Sequence, residues 1–127
     1  MANKAIKTDQ APAAIGPYSQ AIMSGKMLFT AGQIPLDPAT GTLISGDIEA
    51  QTERVMQNLQ AILTEAGSSF DRVVKTTCFL ADLDHFQRFN AVYARYFGDT
   101  PPARSTIQAG RLPAGALVEV ECIAECD

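Results

Sequence analysis

The sequence has few of the groups on which enzymes most often rely: its 127 residues include one histidine, three cysteines and no tryptophan. No serine or cysteine stands in a motif with the single histidine, so no catalytic triad is indicated. Basic residues are scarce too, because ten Lys and Arg are set against 14 Asp and Glu, giving a formal charge of −4. Nucleic-acid binding depends on clustered Lys and Arg, so this balance argues against a nucleic-acid partner.

The three cysteines, Cys78, Cys122 and Cys126, are odd in number and form no CxxC pair. They indicate neither a disulfide framework nor a zinc site, and we expect reduced thiols in a cytoplasmic protein without a metal. No apolar run approaches the roughly 20 residues that span a bilayer, so no membrane partner is expected. The GxGxxG and HExxH motifs are missing as well, and no cofactor is indicated.

Hydrophobic residues make up 46% and charged residues 19% of the chain, which is typical of a globular protein, and we expect one domain over residues 1–127. One helix is predicted over 48–66, where Asp47 provides the N-cap and apolar residues recur on one face. A second helix is predicted to start at the capping residue Asp84. It carries an aromatic stripe that is typical of core packing: Phe86, Phe89, Tyr93, Tyr96 and Phe97.

Five β-strands are predicted from apolar and β-branched runs: 21–23, 27–31, 73–81, 104–109 and 117–124. The first two flank a short glycine-containing link and are predicted to form a hairpin. Strands combined with two helices predict an α+β fold, in which the helices pack on one face of a mixed or antiparallel sheet. The other face of the sheet would be bare, and oligomerisation is the commonest way to cover such a face.

Four polar residues are candidates for chemistry. Arg104 follows two prolines, and its planar fork of donors matches a carboxylate, although an internal salt bridge is an equally good explanation. Glu119 and Glu121 face one side of a strand, about 6.6 Å apart at Cα, either for acid–base work or as a solvated edge. Asn90 lies on the aromatic stripe and needs hydrogen-bond partners there, either nearby backbone or a ligand.

Several short motifs follow one another in order along most of the chain: APAAIGPYSQ at 11–20, GQIP at 32–35, VKTT at 74–77, NAVY at 90–93, PARS at 102–105, RLP at 111–113 and VEVE at 118–121. In these motifs the sequence resembles the RidA family, also called YjgF, of reactive-intermediate imine deaminases. The resemblance implies a chorismate-mutase-like α+β fold, assembled as a homotrimer with active sites in clefts between subunits. It also implies hydrolysis of 2-iminobutanoate and 2-iminopropanoate, released by pyridoxal-phosphate-dependent dehydratases, to 2-oxo acids and ammonia. No cofactor is implied.

The same resemblance assigns roles to individual residues. Arg104 matches the arginine that binds the substrate carboxylate, and Glu119 matches the glutamate that holds the attacking water. Other residues match positions that line the cleft or make backbone contacts to the ligand: Tyr18, Asn90, Gly32 and Thr106. The chain departs from many members in having Ala31 in place of serine and Thr106 in place of cysteine. A mechanism that requires a thiol at position 106 is therefore excluded.

The sequence is also compatible with two functions other than imine hydrolysis. A regulatory module that binds small carboxylates without turnover would need the Arg104 clamp, but Glu119 would be dispensable for binding. RNA cleavage, sometimes ascribed to the family as inhibition of translation, fits poorly with a charge of −4 and no basic stripe.

Overall fold

A computed structural model describes residues 3–127, in which six β-strands form one sheet and two α-helices accompany it. Residues 1 and 2, which the expected domain includes, lie outside the described residues. The strands are β1 (Lys4–Ile6), β2 (Ala21–Ser24), β3 (Met27–Thr30), β4 (Val73–Leu80), β5 (Ala103–Gln108) and β6 (Val118–Glu125). The helices are α1 (Ile48–Glu65) and α2 (Phe86–Tyr93).

The strand order in the sheet is β1-β2-β3-β6-β4-β5. Neighbouring strands run antiparallel except β4 and β5, which are parallel. The predicted α+β class with a mixed sheet and the β2–β3 hairpin are therefore confirmed. Strand β1 was not predicted, because a three-residue edge strand is too short to show an alternating pattern.

Helix α1 begins and ends as its sequence predicts. The Asp47 side chain accepts a hydrogen bond from the backbone N–H of Ala50 at 3.0 Å, which satisfies one of the free donors of the first turn. After the helix, Gly67 adopts a φ of +77°, a conformation that costs glycine little. The face turned to the sheet is buried and includes Ile48, Val55, Leu59, Ile62 and Leu63.

Helix α2 starts later than predicted, and the prediction of Asp84 as its cap is wrong. The Asp82 side chain accepts instead, from the backbone N–H of Asp84 at 2.9 Å, and starts a 3₁₀ turn at Leu83–His85. Two aspartates of the same capping ability stand two residues apart, and the tighter turn uses the earlier one. The aromatic stripe does pack as core at Phe89 and Tyr93, both of which are buried.

The two faces of the sheet differ in character. On β6, the residues Val118, Val120 and Cys122 are buried beneath the helices, whereas Glu119 and Glu121 point to the opposite side and are half-buried. We call this opposite side the open face of the sheet. The helices therefore cover one face, as predicted. Between residues 3 and 127, no helix combines the length and the apolar character needed to cross a membrane.

Candidate functional site

Arg104 lies on edge strand β5, on the side of the sheet that carries the helices. It pairs in register with Thr76, whose buried side chain hydrogen-bonds to the hydroxyl of Tyr93 at 2.7 Å. The guanidinium carbon of Arg104 stands over two rings of α2, 5.3 Å from the centre of Phe86 and 4.9 Å from that of Tyr93. Stacking on aromatic faces is favourable for arginine and limits the motion of its side chain.

Asn90 completes the support of this guanidinium. Its Oδ1 accepts a hydrogen bond from Arg104 Nη1 at 2.7 Å, so the predicted need of Asn90 for a partner is met by Arg104. None of the ion pairs in the described part of the chain involves Arg104, so the alternative of an internal salt bridge is not supported there. The remaining donors of the fork are thus left for another acceptor.

The space beside this guanidinium is a cleft of about 500 Å³, which we call the Arg104 cleft. It lies between α2 and the chain that enters β5. Its walls are mostly apolar or aromatic around two polar side chains: Asn90, Tyr93, Ala94, Phe97, Gly98, Pro101, Pro102 and Arg104. An apolar cleft with a few convergent polar groups is the usual form of a small-molecule site.

Glu119 lies in a second cleft, of about 420 Å³, which we call the Glu119 cleft. Loops from the N-terminal third of the chain form most of its wall: Pro12, Ala13, Tyr18, Gln20, Ala31, Gly32, Gln33, Ile34, Leu36, Pro113 and Glu119. Burial raises the pKa of Glu119 above its ordinary value of 4.5, and repulsion from Glu121 raises that pKa further. A carboxyl group whose pKa is raised in this way is suited to exchanging protons with a bound water.

Gly32 allows the Glu119 carboxylate to lie where it does. A Cβ added to Gly32 would stand 2.9 Å from Glu119 Cδ and closer still to its Oε2, nearer than real Cβ contacts. Any larger residue at position 32 would therefore force the Glu119 carboxylate out of this position. The backbone contact to a ligand that the resemblance implies for Gly32 stays a prediction.

We expect Gly32→Ala to displace the Glu119 side chain. With Glu119 in the water-binding role that the resemblance implies, turnover should fall about 100-fold, since a misplacement of about 1 Å has that effect on a catalytic group. Steady-state kinetics of the variant measure this. Gly110→Ala is the matched control, because a Cβ at Gly110 meets open space and the variant should keep wild-type rates. Equal losses in the two variants would contradict the role given to Gly32.

Thr106 lines neither cleft. It pairs with Cys78 in register, and its Oγ1 is buried without a hydrogen-bond partner in the described chain. Its strand, β5, is at the edge of the sheet, so one side of its backbone has no neighbouring strand within residues 3–127. A backbone contact from position 106 to a ligand is compatible with this placement.

Apart from Thr106, the predicted site residues thus fall into two groups on opposite faces of the sheet. Arg104 and Asn90 meet on the helix-bearing side, whereas Tyr18, Gly32 and Glu119 meet on the open face. A small ligand held by Arg104 of one chain cannot reach Glu119 of the same chain through the sheet. The stacking of Phe86 and Tyr93 on Arg104 was not predicted from the sequence. The signal was the spacing of these rings, four and three residues from Asn90, which places all three residues on one helical face.

The side chains with metal-binding or nucleophilic groups were compared across the part of the chain that the structure describes. Among residues 3–127, His, Cys, Asp and Glu form no group of three or more able to hold a metal ion. Cys78, Cys122 and Cys126 are all free and buried, and burial raises the pKa of Cys78 to about 11. Burial likewise raises the pKa of Cys122 to about 12, so Cys78 and Cys122 are protonated near neutral pH and are poor nucleophiles.

Comparison with known proteins assigns the chain and its fold to a family. The family described as Endoribonuclease L-PSP matches residues 8–126. Protein DfrA of Myxococcus xanthus is 57% identical over 98% of this chain and 96% of its own length. The chloroplastic Reactive Intermediate Deaminase A of Arabidopsis thaliana is 48% identical over 94% of this chain and 64% of its own length.

Solved structures give the same result. YyfA of Yersinia pestis, described as a member of the conserved Rid protein family, is 49% identical with a TM-score of 0.94 over 98% of this chain and 99% of that one. TdcF of E. coli, solved with bound serine, is 41% identical with a TM-score of 0.92 over 98% and 99%. The chain belongs to the RidA/YjgF family, whose profile carries the Endoribonuclease L-PSP name.

Proposed function

We propose that the protein is a hydrolase that converts 2-iminobutanoate and 2-iminopropanoate to the 2-oxo acids and ammonia. The observation that carries the proposal is the Arg104 guanidinium, oriented by Asn90 and two rings yet free of any carboxylate in the described chain. Such a fork fits the carboxylate common to these substrates. Two similarities support it: one relative is named Reactive Intermediate Deaminase A, and TdcF was solved with serine, itself a small carboxylate.

The proposed reaction needs an oriented substrate, one water and one proton acceptor. Arg104 fixes the carboxylate and so places the protonated imine carbon next to the water. Glu119 removes a proton from the water as its oxygen bonds to that carbon, giving a carbinolamine. Glu119 returns the proton to the nitrogen, and the C–N bond then breaks as ammonia leaves. Glu119 takes the hydroxyl proton of the carbinolamine as the carbonyl forms and passes it to the departing ammonia. Electrons and protons balance without an oxidant, a reductant or a cofactor.

A homotrimer with sites between subunits is part of the proposal. It accounts for the separation of Arg104 and Glu119 on opposite faces, because Arg104 of one copy can meet Glu119 of the next. It also accounts for apolar side chains that face solvent in the single chain: Ile15, Tyr18, Phe29 and Ile107 are 83%, 54%, 44% and 50% exposed. Large exposed apolar groups of this kind mark interaction surfaces.

The test couples a threonine dehydratase, which releases 2-iminobutanoate, to this protein and follows loss of the imine. We expect the imine to disappear faster with the protein than by spontaneous hydrolysis. A rate equal to the spontaneous one would overturn the proposal. If the protein then bound 2-oxobutanoate without turnover, a regulatory module would become the proposed function in place of the hydrolase. Binding needs only the Arg104 clamp.

RNA cleavage is the weaker alternative, although the family is described as Endoribonuclease L-PSP. The net charge is −4, and the arginine-containing ion pairs of the described chain engage acidic side chains, which leaves those arginines less available for phosphates.

A cytoplasmic location completes the proposal, supported by three cysteines that are all free.

The pH dependence of turnover provides an independent prediction. Repulsion from Glu121 contributes to the raised pKa of Glu119, so Glu121→Gln should lower that pKa. Because Glu119 must be ionised to accept a proton, the acid limb of the kcat profile should move to lower pH in the variant. Glu125→Gln, at the exposed end of the same strand, is the control and should leave the limb in place. A limb that does not move in Glu121→Gln would contradict the assignment of the limb to Glu119.

A further inference from the structure

Asn58 is a polar residue in the middle of the apolar face of α1. It is completely buried, and its neighbours on that face, Val55, Leu59 and Ile62, are all aliphatic. A buried amide is costly unless its donors and acceptor are satisfied, so its partners explain its presence. A leucine would suit the packing of the helix as well or better, and the function of the amide must therefore lie in its hydrogen bonds.

Those hydrogen bonds leave the helix and reach one loop. Nδ2 of Asn58 donates to the carbonyl oxygens of Ile34 at 3.2 Å and Leu36 at 3.1 Å. Its Oδ1 accepts from Arg54 Nε at 3.0 Å, one turn earlier on α1, which fixes the direction in which the amide points. Both donors and the acceptor are thus used, and two of the three bonds hold segment 34–36.

The segment held by Asn58 is a wall of the Glu119 cleft, to which Ile34 and Leu36 both contribute. It continues from Gly32, where an added Cβ would collide with the Glu119 carboxylate. Between them, Gln33 exchanges two backbone hydrogen bonds with Val120, the residue after Glu119, at 2.8 and 3.1 Å. The segment is therefore fixed to the strand that carries Glu119 on one side and to α1 through Asn58 on the other.

We propose that Asn58 is a positioning residue for Glu119, acting through segment 32–36 to fix the wall against which the carboxylate packs. The inference rests on the proposed function and extends it to a side chain that touches neither substrate nor water. When the amide is removed, the carbonyls of Ile34 and Leu36 lose buried donors and the segment loosens. Glu119 then gains freedom and contact with solvent, although the Arg104 cleft on the other face is untouched.

The test compares Asn58→Ala with the wild type in turnover and in amide hydrogen exchange. We expect kcat to fall about tenfold or more, with little change in the affinity for 2-oxobutanoate held by Arg104. Exchange at the backbone amides of Gln33 and Leu36 should become faster. The acid limb of the kcat profile should move to lower pH, because burial is the main cause of the raised pKa of Glu119.

Thr52→Val is the matched control. Thr52 is equally buried on the same helix, but its hydroxyl donates to Ile48 O of α1 itself at 2.7 Å, so the variant loses a buried hydrogen bond without touching the cleft. We expect it to keep the wild-type kcat, exchange at 33–36 and acid limb, even where its stability falls. Equal changes in both variants would mean that Asn58 serves stability alone and would overturn the inference.

A third variant keeps the test decisive if Asn58→Ala does not fold. Arg54→Met removes only the donor that orients the amide and should produce the same changes on a smaller scale; unchanged kcat and exchange would overturn the inference. A wild type that does not hydrolyse imines overturns the proposed function and this inference with it. If the wild type hydrolyses imines and the Asn58 variant does so at the same rate, only the inference is overturned.

Discussion

Replacement of Arg104 by alanine should lower kcat/KM for 2-iminobutanoate about 30- to 1,000-fold, which corresponds to about 2–4 kcal/mol of lost transition-state binding. The reason is that a charged, two-pronged partner for the substrate carboxylate is removed from a partly buried cleft. The loss should appear in KM and kcat together, because the same contact both binds the substrate and places its imine carbon. Initial rates in the dehydratase-coupled assay measure it.

One further variant separates the paired donors of Arg104 from its charge, and a second serves as a control. Arg104→Lys keeps the charge without the paired donors and should recover only part of the lost rate, since lysine cannot make the planar two-point contact. Arg72→Ala removes an arginine that forms a surface ion pair with Asp127 and should retain full activity. Undiminished turnover in Arg104→Ala, with its assembly unchanged, would remove Arg104 from the mechanism.

Glu119→Gln should lower kcat by about 10²–10⁴-fold, the usual contribution of a general base, while affinity for 2-oxobutanoate stays close to that of the wild type. Glutamine keeps the size and polarity of the side chain but cannot accept the proton from water. Kinetics combined with a direct binding measurement distinguish this outcome from a loss of the whole site. A variant that hydrolyses the imine at the wild-type rate would show that Glu119 is dispensable.

The same substitution should stabilise the protein at neutral pH. The pKa of Glu119 in the folded protein is raised above 4.5, so folding favours the protonated form of this group. The contribution of protonated Glu119 to the free energy of unfolding is therefore complete below pH 4.5, and it is lost as the pH rises through the folded-state pKa. Glutamine carries no charge and avoids this loss. Chemical denaturation should therefore give Glu119→Gln a greater free energy of unfolding than the wild type at pH 7, and a much smaller difference at pH 4.

Periodic patterns in the sequence predicted most of the fold because burial imposes them directly. The apolar face of α1 and the alternation along β6 each follow from one buried side. Strand β1 was not predicted because three residues are too few to show an alternating pattern. The capping residue Asp82 was not predicted because a second aspartate of similar capping ability, Asp84, stands two residues later.

The candidate site was less accessible to sequence reasoning than the fold. The local pattern indicates that Arg104 and Glu119 are candidates for chemistry. Their placement on opposite faces of the sheet follows only from the parallel pairing of β4 with β5 and from the direction of alternation on β6. The anchoring role of Asn58 was missed as well, because its partners are carbonyls 22 and 24 residues away. Long-range backbone contacts of this kind leave no pattern in a single sequence.

The most direct test of the account mixes two inactive variants, Arg104→Ala and Glu119→Gln, by co-expression or joint refolding. If each site combines Arg104 of one copy with Glu119 of the next in a closed ring, equal mixing should restore about one quarter of the wild-type sites. Activity at that level, in mixed assemblies identified by native mass spectrometry, is the predicted result. Mixed assemblies that remain as inactive as either variant alone would contradict the shared site.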